Sequence, residues 1–84
     1  MNYHVVLETR VLKELTALPK EIQKRVAAVL NDLERDPRPQ GSKKLTNYEG
    51  YRVRKGDYRI LYTIDDKSKF VRVYRVGHRR EIYR

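Results

Sequence analysis

Arginines and tyrosines alternate through the last third of this 84-residue chain, and their types suit contacts with phosphate groups and bases. Residues 50–84 contain 11 Lys and Arg against 4 Asp and Glu, so they hold +7 of the chain's net charge of +9. Eight of these cations are Arg, whose planar guanidinium contacts two phosphate oxygens at once. Five of the seven tyrosines lie between them. The segment predicts a surface for RNA or another polyanion.

The sequence K-G-D-Y at residues 55–58 predicts a tight hairpin that sets the register of these arginines, because Gly56 tolerates the positive φ of a type II′ turn. In that register Arg54 lies opposite Arg59, and Arg52 shares their face. Like charges in such a pair destabilise a sheet unless an anion lies between them. The alternative is that the long side chains extend separately into water. The opposite face is predicted to be apolar, with Tyr51, Val53, Ile60 and Tyr62.

Residues outside this hairpin are predicted to extend the arginine face. A four-residue loop from Asp65 to Ser68 would place Arg72 and Tyr74 on it, and Gly77 would let the basic tail GHRREIYR turn back toward it. We expect Lys55, Arg72 and Arg80 to bind RNA.

Two residues of the tail could take part in chemistry. His78 is the only histidine in the basic region, and a histidine can exchange a proton near neutral pH. The alternative is an ordinary surface histidine. Tyr83 could stack on a base or hydrogen-bond a ribose hydroxyl, or it could instead close the edge of the core.

The composition excludes several classes of site. There is no cysteine, there are only two histidines, and the acids are scattered, so no metal-ligand set or disulfide framework is expected. Neither a GxxxxGK[ST] nor a GxGxxG loop is present, so we expect no nucleotide cofactor. Phosphate chemistry is therefore predicted to need no metal. No segment has the roughly 18 to 20 apolar residues of a membrane helix, and a cytoplasmic location is expected.

The elements that position these residues follow from the spacing of apolar side chains. A β-branched run predicts an opening strand at residues 3–7, and Thr9 is expected to be the N-cap of the helix that follows. Pro19 ends that helix and starts a second one, and residues 36–41 form a loop. The apolar positions recur at three- and four-residue spacing: Val11, Leu12, Leu15 and Leu18 in the first helix, and Ile22, Val26, Val29, Leu30 and Leu33 in the second.

Beyond the loop the spacing becomes two, which predicts a three-stranded meander. The order β-α-α-β-β-β predicts a single α+β domain over residues 1–84. In that domain both helices pack on one face of a four-stranded antiparallel sheet.

The motifs KLTNYEGYRVRKGDYRILY and VGHRREIYR, with the strand between them, resemble the RelE/ParE superfamily of toxins from type II toxin-antitoxin systems, most of all the RelE-like mRNA interferases. The resemblance covers the order of elements from end to end. It implies a microbial-ribonuclease-type α+β fold and metal-independent cleavage of messenger RNA in the ribosomal A site. It also implies inhibition by a cognate antitoxin, through which higher-order complexes could assemble on operator DNA.

The resemblance also implies site residues. Arg52 and Arg54 match the two basic residues of the family's second strand, Arg59 the arginine of its GYR or DYR motif, Arg79 the basic residue after the VG turn, and Tyr83 the tyrosine that closes the active site. The best-known RelE enzymes have lysines at the first two positions. A guanidinium cannot readily act as a general base, so either His78 moves the proton or catalysis rests mainly on charge stabilisation and orientation.

Two other functions remain open on the sequence. A ParE-like toxin would inhibit DNA gyrase by binding, without nuclease activity. A plain RNA-binding module would need the basic face but not a specific tyrosine at the terminus.

Overall fold

The computed structural model describes residues 2–82, which form a mixed sheet with two helices on one face. This confirms the predicted α+β class. In chain order the elements of this part of the chain are β1 His4–Leu7, α1 Thr9–Thr16, α2 Lys20–Arg35, β2 Lys43–Lys44, β3 Tyr51–Lys55, β4 Tyr58–Asp65 and β5 Phe70–His78.

The predicted hairpin is formed by β3 and β4 in the expected register. Gly56 has φ +59°, and Asp57 is not among the residues with positive φ, as a type II′ turn requires. Arg54 pairs with Arg59, and Val53 pairs with Ile60. Alternation along the two strands then divides the sheet into an apolar face and an arginine face.

The sheet differs from the prediction in two ways. The strand order among the described residues is β1-β5-β4-β3-β2, so there are five strands and not four. β1 is parallel to β5, so the sheet is not wholly antiparallel. The reason is that the two helices carry the chain across the sheet to the far edge. The meander therefore starts there, and its last strand arrives beside β1 in the same direction.

The core lies between the apolar face of the sheet and the helices. Val11, Val26 and Leu33 of the helices are fully buried there against the central strands.

The first helix starts one residue earlier than predicted. Glu8 is its N-cap, with an extended backbone, and Thr9 is already helical, so the predicted Thr9 cap is wrong.

Leu12 was expected in the apolar stripe of α1, but 51% of it is exposed to solvent. It lies on the outer side of the helix, next along the chain from the fully buried Val11.

Neither helix in the described part of the chain is long and apolar enough to cross a membrane.

The pairing of β4 with β5 contains a β-bulge that reverses the side-chain alternation of β5. Leu61 pairs with Arg75 and Tyr62 pairs with Val73, which leaves Tyr74 as the extra residue. An inserted residue moves every later side chain to the opposite face. Val76 therefore points into the core, where it is 1% exposed.

Candidate nucleic-acid interface

Arginines from three segments line one open depression on the arginine face. Arg52 and Arg54 come from β3, Arg59 from β4, and Arg79 and Arg80 from the tail after β5. The depression has a volume of about 480 Å³. The structure thus brings together five of the residues that the sequence suggested. We call this the arginine depression.

Arg59 differs from its neighbours because it is only 8% exposed, although the sequence suggested an exposed face. One of its terminal nitrogens, Nη1, lies 3.5 Å from both the Gly56 and the Tyr58 carbonyl oxygens. Arg54, directly across the strand pair, is exposed. A charge in a partly desolvated position interacts more strongly with an anion than one in bulk water. Arg59 is therefore well suited to hold a phosphate oxygen.

The tail reaches the depression because it folds over the hairpin turn. The Arg79 N–H donates to the Asp57 carbonyl oxygen at 2.8 Å, and its Nε lies 3.9 Å from the Asp57 carboxylate. The N–H groups of Glu81 and Ile82 both donate to the His78 carbonyl, and Ile82 is 2% exposed. These contacts fix Arg79 next to the arginines of the hairpin.

A side chain of α1 supports the same region. The Glu14 carboxylate accepts hydrogen bonds from the Val76 N–H at 2.9 Å and from the Arg75 Nε at 3.0 Å. Because β1 ends at Leu7, the carboxylate takes the place of a neighbouring strand at Val76. Arg75 in turn donates to the Ile82 carbonyl at 3.1 Å. Helix, last strand and tail are thereby joined.

His78 does not reach the arginine depression. The bulge turns it to the helix side, where its ring packs edge-on against Tyr58 with centroids 5.5 Å apart. It lines another depression there, together with Leu18 and Pro19 of the helical hairpin. Its Nδ1 accepts the Arg80 N–H at 3.2 Å, so this nitrogen is already used in holding the tail. The geometry gives no support to the expected role of His78 in proton transfer.

The other predicted contact residues are spread more widely. Arg72 does lie on the arginine face, opposite Thr63, but it lines separate depressions that it shares with Glu49. Lys55 is exposed at the end of β3, next to the turn. Tyr83 lies outside the described residues.

Three residues that the sequence analysis did not single out extend the basic surface. Lys43, Lys44 and Tyr48 line a second depression of about 480 Å³, and Arg52 lines both it and the arginine depression. The signal was the K-K pair just after the loop. It was hidden because residues 1–49 as a whole hold 9 basic against 7 acidic side chains.

At the other end of the sheet, polar contacts fix the loop after α2. The pKa of Asp66 is lowered to about 2, mainly by the hydrogen bond from Arg38 and to a smaller extent by the one from Tyr3. Tyr62 donates to the Pro37 carbonyl oxygen at 2.8 Å, and its burial raises its pKa to about 12. Both are stabilising contacts away from the arginine depression. Within residues 2–82 no three His, Asp or Glu side chains are grouped so that they could hold a metal ion.

Comparison with known proteins gives a consistent result. The sequence model of a family described as "ParE toxin of type II toxin-antitoxin system, parDE" matches residues 5–83. The chain is 37% identical to the toxin RelG of Mycobacterium tuberculosis, covering 100% of this chain and 99% of that protein. It is 32% identical to the toxin RelE of the same organism, covering 98% of this chain and 87% of that protein.

Solved structures agree with these matches. The fold is similar to the RelBE2 toxin-antitoxin complex of M. tuberculosis, with a TM-score of 0.82 and 34% identity over 93% of this chain and 99% of that one. It is also similar to the RelE-RelB complex of Pyrococcus horikoshii, with a TM-score of 0.84 and 31% identity over 96% of this chain and 99% of that one.

Proposed function

The chain belongs to the ParE toxin family of type II toxin-antitoxin systems, and from its similarity to the RelG and RelE toxins we propose that it is a RelE-like toxin that cleaves messenger RNA in the ribosomal A site. Its partners are the ribosome, the message and a cognate antitoxin that holds it inactive. The similar solved structures from M. tuberculosis and P. horikoshii are toxin-antitoxin complexes, which supports the last of these.

One observation supports cleavage most directly: guanidinium groups from β3, β4 and the tail line a single depression. A surface that only attracts a polyanion needs positive charge but no such convergence. A phosphoryl transfer needs it, because negative charge builds up on the phosphate oxygens in the transition state and fixed donors there lower the barrier.

In the proposed reaction a ribose 2′-oxygen attacks the adjacent phosphorus in line. The bond from phosphorus to the 2′-oxygen forms while the bond to the 5′-oxygen breaks. The 2′-hydroxyl gives its proton to a water molecule, and the leaving 5′-oxygen takes a proton from water. The products are a 2′,3′-cyclic phosphate, which water can hydrolyse to a 3′-phosphate, and a 5′-hydroxyl.

Each residue has a proposed role in this step. Arg54 and Arg59 stabilise the charge on the pentavalent phosphorane, Arg52 orients the scissile phosphate, and Arg79 offsets charge on the leaving oxygen. Tyr83 positions the base or ribose. Since no guanidinium is a practical base, these residues act mainly through charge stabilisation and orientation.

A ParE-like gyrase inhibitor is the second candidate, and one observation favours it: the matching family model is described by the ParE name. Two observations weigh against it. The RelG and RelE toxins are 37% and 32% identical to the chain over nearly its whole length, and a protein that only binds gyrase has no need of converging arginines.

Primer extension on a translated message, with and without induction of the protein, tests the proposal. Cuts in register with codons, absent when translation is blocked, are expected. Growth inhibition without any cut, together with loss of gyrase supercoiling activity in a purified assay, would support the ParE-like alternative instead.

We also expect cleavage to persist in EDTA, because the sequence offers no ligand set for a catalytic metal. The measurement is cleavage by purified protein and programmed ribosomes across an EDTA titration, with ribosome integrity followed by sedimentation. Loss of cleavage while ribosomes stay intact, restored by a divalent ion, would contradict the metal-free mechanism.

A further inference from the structure

We propose that the depression beside the arginines is a nucleotide subsite, in which one unpaired RNA base stacks on Tyr48 while Lys43 and Arg52 bind the neighbouring phosphates. This inference rests on the proposed function, because it extends the path of the same RNA strand beyond the scissile phosphate. It adds a base contact on the edge of the sheet that lies farthest from β1.

The two depressions form one continuous surface through Arg52. That residue lines the arginine depression and also the depression that contains Lys43, Lys44 and Tyr48. A strand held by the arginines at the scissile phosphate therefore has a basic path outward over β3 to β2.

Strand pairing fixes the spacing of this path. Lys43 pairs with Arg52, and Arg54 pairs with Arg59. Paired strands lie about 4.8 Å apart, and residues two apart on one strand are about 6.7 Å apart. The cations thus form a ladder across three strands, set by the backbone and not by a flexible loop.

Tyr48 lies at the side of this ladder with 46% of its surface exposed. Aromatic side chains beside a basic groove are the usual platform for unpaired bases, since every base has a stacking face. Asn47 lines the same depression, and its amide can both donate to and accept from a base edge. Asn47 can therefore distinguish one base from another at this position.

The loop that presents Tyr48 is fixed at its base. The Leu45 N–H donates to the Gly50 carbonyl at 2.9 Å, and the Tyr74 hydroxyl donates to the Glu49 carbonyl at 2.6 Å. Gly50 has φ +98°, and a Cβ there would collide with the Tyr62 carbonyl oxygen, so only glycine lets the loop lie so close to β4. A loop held in this way loses little conformational entropy when a base binds.

The first experiment measures binding of short single-stranded RNA with fully 2′-O-methylated riboses, which cannot be cleaved, by NMR titration at low salt. Tyr48→Leu is expected to raise Kd by roughly 5- to 150-fold, the usual effect of removing a stacking aromatic, while Tyr48→Phe retains binding. Phe70→Leu is the matched control, because Phe70 is 43% exposed at the far end of the sheet. Unchanged affinity in Tyr48→Leu, or no binding by the unmodified protein, would overturn the subsite.

Salt dependence separates stacking from phosphate contacts. Each phosphate contact to a single strand contributes about 0.7 to the slope of log K against log salt concentration. Lys43→Ala should reduce the slope by about that amount, whereas Tyr48→Leu should lower affinity without changing it. A slope unaffected by Lys43→Ala would show that this lysine does not contact the strand and would overturn the proposed path.

The path from the scissile phosphate assigns the stacked base to the message, and two further arms distinguish it from a base of ribosomal RNA. If it is a message base, Tyr48→Leu changes the distribution of cuts among codons in primer extension. If it is a ribosomal base, the variant binds vacant ribosomes more weakly in sedimentation and cleaves all codons less. An effect in neither arm would exclude a role on the ribosome. Codon-specific cleavage with an unchanged Tyr48→Leu variant would remove this subsite and leave the proposed function intact.

Discussion

Arg59 is 8% exposed and lies opposite Arg54 in a strand pair, where like charges directly across from one another destabilise a sheet. The turn and the flanking backbone hold it there, because its Nη1 lies near the Gly56 and Tyr58 carbonyls. A preformed, partly desolvated guanidinium of this kind needs little reorganisation when charge develops on a phosphate. This geometry supports the proposed role of Arg59 in stabilising charge on the phosphate.

The matching prediction is that Arg59→Ala lowers the cleavage rate on programmed ribosomes by about 10²- to 10³-fold, the usual effect of removing one transition-state donor. Arg59→Lys keeps the charge but loses the bidentate contact, so its cleavage rate should lie between those of Arg59→Ala and the unmodified protein. Arg25→Ala is the control, since it removes the same charge from an exposed position on α2. Melting temperatures of all three variants separate a catalytic effect from loss of fold. Cleavage by Arg59→Ala at the unmodified rate would remove it from the site.

The helices show how burial, and not apolarity alone, sets the effect of a substitution. Leu33 of α2 is fully buried, whereas Leu12 of α1 is 51% exposed. Leu33→Ala should lower the free energy of unfolding by about 2 to 5 kcal/mol, because it leaves a cavity in the core. Leu12→Ala should change it by less than about 0.5 kcal/mol. Urea unfolding of both variants checks the difference. Equal losses of unfolding free energy would mean that α1 is rotated about its axis so that Leu12 faces the core.

The contacts between the loop after α2 and the turn between β4 and β5 should depend on pH. Asp66 accepts bonds from Arg38 at 2.8 and 3.2 Å and from Tyr3 at 2.6 Å, and its pKa falls from 3.8 to about 2. A carboxyl whose pKa is lowered by folding stabilises the folded state above its unfolded pKa. That contribution is lost as the pH falls toward the folded value. Stability from Asp66 is therefore complete above about pH 4 and disappears toward pH 2.

Asp66→Asn should accordingly lower the melting temperature at pH 7, with a difference from the unmodified protein that shrinks between about pH 4 and pH 2. The control is Asp32→Asn, which breaks a pair with Arg35 within α2 that has one hydrogen bond. It should have less effect, because an exposed ion pair contributes little unless it is bidentate, as the pair of Arg38 with Asp66 is. Thermal unfolding at pH 7, 4 and 2.5 makes the comparison. A difference that is constant over this range would show that the carboxylate charge is not what stabilises the loop.

As a whole the molecule has a net charge of +9, and five of its arginines line one depression, so charge should govern how it meets its partners. We expect the antitoxin to present an acidic or amphipathic segment that competes with RNA for the surface formed by Arg52, Arg54, Arg59 and Arg79. Neutralising mutually repelling charges adds affinity, and binding only the folded state stabilises the fold by mass action.

Association of toxin and antitoxin should then be fast and sensitive to salt, because charge steering mainly raises the on-rate. Stopped-flow measurements across a salt series should show slower association for Ala variants of the arginines than for Lys24→Ala on the outer side of α2. If the antitoxin instead binds the helices and displaces the tail, the rate will be indifferent both to salt and to the arginines. That outcome would rule out direct masking.

Much of this arrangement follows from local sequence. The register of β3 and β4 depends on one turn and on side chains within a few residues of it, so Gly56 and the alternation on either side were enough to predict that Arg54 opposes Arg59. The stripe of α2 was predictable for the same reason, since its period depends only on residues three and four apart.

The tertiary structure decided what depends on residues far apart in the chain. No local pattern indicated that β1 would lie parallel to β5 or that Lys43 would pair with Arg52. Gly77 indicated that the tail turns back, but not that Arg79 would reach Asp57. The bulge at Tyr74 had the largest effect: one extra residue in β5 reverses the alternation, which sends His78 to the helix side and away from the arginine depression. Side-chain alternation is a local property, whereas its phase depends on pairing with a distant strand, and only the folded chain fixes that.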